Sequence, residues 1–65
     1  MGAGGIIQKH VAALLPAVND ASFFGQMDSS QQAAVTAINE KAELDYDEND
    51  RATLVEIINA VTEDD

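Results

Sequence analysis

Met27-Asp28-Ser29-Ser30-Gln31-Gln32-Ala33-Ala34-Val35-Thr36-Ala37-Ile38 is the stretch from which the fold is read. Asp28 or Ser29 supplies a side-chain oxygen for the free N–H groups of a helix start, and a glutamine three residues on can reach back to the capping residue. A helix is therefore expected over 29–44. Its apolar positions Ala34, Val35, Ile38, Ala42 and Leu44 form a stripe of mostly small residues that lets another helix approach closely.

The same period recurs on both sides of this stretch. Upstream, Ile6, Ile7, Val11, Leu14, Leu15 and Val18 predict a helix over 5–15. Pro16 removes a backbone donor and disfavours helical geometry at Leu15, so a restart is expected, giving a second piece over 17–24 that Gly25 closes in the left-handed region. Downstream, Leu54, Ile57, Ile58 and Val61 predict a last helix over 51–62. The acids and single tyrosine of 45–50 read as a solvated connection. No strand-like alternation competes, and the expected class is all-α, a small bundle of three to four short helices. Ile38 and Ile58, each central in its stripe, are the expected core centres.

Sixty-five residues form at most one domain with a thin core. The reading is a flexible terminus at 1–5, where Gly2, Gly4 and Gly5 cluster, a helical domain at 6–62, and an acidic tail at 63–65 that frays because the helix dipole disfavours negative charge there. No cysteine is present, so neither disulfides nor thiolate metal sites support the fold. No run approaches the ~18 apolar residues of a membrane span. Ile6 stands where a myristoylation motif requires Ser or Thr, and the basic start of a secretory signal is missing. A cytoplasmic or virion-associated location is expected by default.

The formal charge is −9, and nearly all of it lies in the second half: residues 33–65 carry ten acids against Lys41 and Arg51. Direct binding to nucleic acid or an anionic membrane requires a basic surface, so neither is expected. A basic protein surface is the better complement. A single histidine, His10, on a short helix offers neither a nucleophile with its base nor a metal-ligand set, so no enzyme is expected and no catalytic residue is assigned.

One segment carries ligand-like spacing. From Asp45 to Glu56, side-chain or carbonyl oxygens fall at twelve-residue loop positions 1, 3, 5, 7, 9 and 12 on Asp45, Asp47, Asn49, Arg51, Thr53 and Glu56. This resembles an EF-hand calcium loop, and the resemblance implies calcium as a cofactor held by those six residues. Asp50 stands where the family has glycine, Ala52 where it has a branched aliphatic, and no second loop is found. Otherwise no cofactor is expected. The competing reading makes Asp47, Asn49 or Asp50 the N-cap of the last helix. In a third reading, the six acids between Glu40 and Asp50 imitate a phosphate backbone, as in inhibitors of nucleic-acid enzymes.

The leading expectation is a protein-docking module of adaptor or inhibitor type, of the kind found in assembly-line docking domains or phage accessory proteins. Ile6, Ile7, Leu14, Leu15, Phe23, Phe24, Val55 and Ile57 exceed what short helices bury among themselves. Leu14, Leu15, Phe23 and Phe24 are the expected anchors, while Glu40, Glu43, Asp47 and Glu48 select a basic partner; a homodimer is the alternative use of the same face.

Overall fold

The structure, a computed structural model, describes the backbone of residues 2–63 and the side chains of residues 5–63. Pro16 does not divide the first helix: α1 runs from Gly2 to Asn19 with Pro16 inside it. The expected restart is thus corrected. Pro16 is exposed and only one turn from the helix end, so its missing donor and ring are accommodated without burying a polar group. Helical backbone also includes residues 2–5, where a loose lead-in is expected. Of the expected acidic tail, Glu63 is the last helical residue, and residues 64–65 lie outside the described ones.

The chain turns at Asp20, whose carboxylate accepts from the backbone N–H of Phe23 at 3.2 Å and caps the four-residue α2, Ala21–Phe24. Gly25 follows with φ of −65°, in the right-handed region. The left-handed closure expected of it is absent, and no described residue has a positive φ.

The cap read from sequence is found as expected. Asp28 Oδ1 accepts from Gln31 N at 2.8 Å, and Asp28 N donates to Gln31 Oε1 at 3.0 Å, a reciprocal capping box that opens α3, Ser29–Asn39. That helix ends five residues earlier than expected. The N–H of Glu40 is shared between the carbonyls of Thr36 and Ala37 at 3.2 and 3.3 Å, the tightening common at a helix C-terminus. A further turn would add Glu40 and Glu43 at the negative end of the dipole. Instead a 3-10 turn, Glu43–Asp45, leads to Tyr46 and then α4, Glu48–Glu63. The connection over 45–50 is consequently not wholly solvated: Tyr46 and Asp50 are buried.

α1 packs chiefly against α4, with α3 closing the third side. Their shared core holds Val11 and Val18 of α1, Val35 and Ile38 of α3, Leu54, Ile57 and Val61 of α4, and Met27 and Tyr46 from the connections. Ile38 is buried as expected. Ile57 takes the place assigned to Ile58, which is half-buried at the core's edge. Side-chain amides also tie the frame: Asn19 and Asn39 exchange hydrogen bonds of 2.9 and 2.7 Å at the surface, and Gln32 Nε2 donates to the Phe24 carbonyl at 2.9 Å. The described residues contain no strand and no helix long and apolar enough to cross a membrane.

Candidate interaction site

The acidic segment is organised around the start of α4. Asp47 Oδ1 accepts from Asp50 N at 3.0 Å and Asp50 Oδ2 accepts from Asp47 N at 3.1 Å, a reciprocal cap built from two aspartates. Asp50 is buried, and the same Oδ2 takes a 2.8 Å bond from Lys41 Nζ. This pair pins the exit of α3 to the entrance of α4. The Asp50 N–H, with a contribution from Lys41, holds the Asp47 carboxyl below the usual aspartate range. The hydrogen bond to Asp50 in turn raises Lys41 above its ordinary value. One turn on, Glu48 and Arg51 form a second pair through the Nε/Nη2 edge of the guanidinium, which lowers Glu48 and raises Arg51.

This arrangement differs from the loop implied by the EF-hand resemblance. Asp45 belongs to the 3-10 turn, Asp47 caps, and Asn49, Arg51, Thr53 and Glu56 lie along α4. At 1.5 Å per residue, Asn49 and Glu56 are about 10 Å apart along the helix axis, and the Arg51 carbonyl belongs to the helix's own ladder. Oxygens so placed do not converge on one ion at the ~2.3–2.6 Å calcium takes. No cluster of three His, Asp or Glu side chains able to hold a metal is found among the described residues. Asp50 has no left-handed backbone to adopt, because the turn that position serves in the family is replaced by the first turn of α4.

The apolar anchors divide. Leu15, Phe23 and Phe24 are half-buried against the core, as is Leu14, so they are not a free-standing patch. Leu14 also faces a groove of about 250 Å³ between α1 and α4, lined with it by His10, Ala13, Arg51 and Val55. The lining is apolar apart from the histidine and the arginine, and Arg51 reaches it already paired with Glu48. A cleft of similar size beside Gln26, Asp28, Gln31, Ala60 and Val61 is more polar, and its Asp28 and Gln31 are engaged in the cap of α3.

The groove was not legible as such from sequence, although its signal is present. With Val11 and Val18 at the centre of the buried face of α1, the 100° step per residue puts Leu14 on its flank and His10 and Ala13 beyond, next to whatever α4 presents. What the sequence lacks is the register between the two helices. Of the acids assigned to partner selection, Glu48 stands near this groove through Arg51, whereas Glu40 ends α3 and Glu43 opens the 3-10 turn. Asp47 is committed to its cap. Leu44, expected on the buried stripe of α3, is instead 86% exposed on the 3-10 turn.

Comparison with family models, with curated proteins and with solved structures finds no match to this chain.

Proposed function

We propose that this chain is a small docking module that binds a basic partner protein through the groove between α1 and α4. The observation that carries the reading is the groove itself, a mostly apolar concave surface in which Ala13, Leu14 and Val55 lie beside His10 and Arg51. At about 250 Å³ it is smaller than the ~300–1,000 Å³ pockets that enclose small organic ligands. It suits one or two apolar side chains projecting from a helix, with the rest of the partner outside. The rim is close to neutral, since Arg51 is paired with Glu48. Selection for a basic partner therefore comes from the field of the whole chain, at −9, which steers encounter more than it adds affinity.

The test uses a designed amphipathic helix with leucine on one face and lysine on the other, titrated into the protein while amide signals are followed by NMR. Binding should perturb residues 10–14 and 51–55. Ala13→Glu places a charge in the groove at an exposed position that the core does not use, and should weaken binding at least about tenfold, equivalent to ~1.4 kcal/mol. Perturbations elsewhere, or affinity indifferent to Ala13→Glu, would refute the reading.

A further inference from the structure

A second surface lies on the 3-10 turn Glu43–Asp45. We propose that this turn presents Leu44 as an anchor for a basic-rimmed apolar pocket on a partner protein, independently of the α1/α4 groove. Leu44 is 86% exposed, far more than Ile6 at 54%, the other exposed large aliphatic among the described residues. Two residues on, Tyr46 is buried at 8%, so the segment is not simply lifted off the core. Its backbone chooses which side chain goes in and which goes out.

The backbone of the turn that displays Leu44 is held by hydrogen bonds within the segment and from α1. Asp45 N donates to the Ala42 carbonyl at 2.9 Å and Tyr46 N to the Glu43 carbonyl at 3.2 Å. From α1, Gln8 Nε2 reaches the carbonyls of Tyr46 at 3.0 Å and of Leu44 at 3.5 Å. Before it, Lys41 is tied to buried Asp50, and after it, Asp47 and Asp50 cap α4. An apolar side chain carried on a backbone held in this way enters a pocket without the ordering cost of a mobile loop.

Charge identifies the occupant. Glu40, Glu43, Asp45 and Asp47, the acids that flank Leu44 in the sequence, are all exposed, and Lys41, the cation of the segment, is bonded to Asp50. Phosphate-rich surfaces are repelled by such a face, and a second copy of this chain, itself at −9, is repelled too. The complement is a protein pocket that is apolar at its floor and carries lysine or arginine at its rim. The two surfaces do not coincide: Gln8 points to the turn, while His10, about 200° further round α1, lines the groove. One partner in the groove leaves Leu44 free for another.

A phage-displayed library of disulfide-constrained random peptides, selected on the intact chain, tests this. Binders should be rich in lysine and arginine around aliphatic or aromatic residues. They should lose at least tenfold affinity for Leu44→Ser and lesser amounts for Glu43→Gln and Asp45→Asn, while Ala13→Glu leaves them unchanged. Leu44 contributes nothing to the core, and matching thermal melts of the variants establish that only the surface has changed. Failure to obtain any peptide sensitive to Leu44→Ser overturns the proposal, as does a set of binders lost in Ala13→Glu alone, which would leave only the groove. Sedimentation showing a dimer that Leu44→Ser dissociates would assign the leucine to self-association and overturn it as well.

Discussion

At the scale of single residues, the informative side chain is Asp47. Its carboxylate is held below the ordinary aspartate value of 3.8, chiefly by the Asp50 backbone N–H, which outweighs the opposing effect of desolvation, with a lesser contribution from the charge of Lys41. A carboxyl whose folded pKa lies below its unfolded one stabilises the fold above the unfolded value, and that contribution fades as pH falls through the folded value. Asn is the neutral mimic of the protonated acid and is also a competent N-cap, so Asp47→Asn removes the charge while keeping the hydrogen bond. The parent should therefore be more stable than Asp47→Asn at neutral pH, and the gap should begin to close near pH 4 and continue closing below it. Urea denaturation of both proteins across that range measures the gap directly. A difference that stays constant into acid would mean that the charge of Asp47 contributes nothing. Comparing the two proteins matters because acidification also relieves the repulsion of a chain at −9, an effect common to both.

At the scale of elements, the legible features were those with a local cause. The capping box at Asp28 and Gln31 needs only residues three apart, and the buried faces of α3 and α4, with Val35, Ile38, Leu54 and Val61, follow from the 3.6-residue period. The misread features depend on partners distant in sequence. Tyr46 among acids looked solvated because its burial depends on core residues distant in sequence, and Leu44 looked buried because nothing local announces that α3 stops at Asn39. Pro16 was read by its intrinsic cost, yet the packing of Val11 and Val18 on one face outweighs that cost and keeps α1 whole. This has a measurable consequence. An interior proline is about 3 kcal/mol less favourable than alanine, and replacing it returns ~0.4–1 kcal/mol of freedom to the unfolded chain. Because Pro16 is exposed and near the helix end, Pro16→Ala should stabilise the protein by about 1–2 kcal/mol, seen as a higher melting temperature. A lower melting temperature would mean instead that a bend at Pro16 is needed to seat Val18 and turn the chain toward α2.

At the scale of the whole molecule, cations are too few to balance the acids. Among the described residues the ion pairs are Lys41 with Asp50 and Arg51 with Glu48, while Glu40, Glu43, Asp45, Glu56 and Glu63 are exposed without an ion pair. The same imbalance made an acidic surface legible, but not where the groove at Ala13 and the turn at Leu44 fall, which depends on how the helices register. It also sets how stability should respond to salt. The Debye length falls from about 30 Å at 0.01 M to about 10 Å at 0.1 M, so the added salt screens repulsion between carboxylates on different elements. Salt also weakens attraction within the two pairs. The exposed Arg51–Glu48 pair is of the kind worth ~0–1 kcal/mol, and the Lys41–Asp50 pair is better shielded on its buried side. The net of −9 decides the sign: the melting temperature should rise between 0.01 and 0.1 M sodium chloride, by about 4–8 °C for each kcal/mol of repulsion relieved in a domain of this size. Thermal melts in magnesium and calcium chloride at equal ionic strength complete the test. If screening is the cause, the two divalent salts should stabilise alike; a gain specific to calcium would mean that Asp45, Asp47, Asn49 and Glu56 rearrange from their helical positions around the ion.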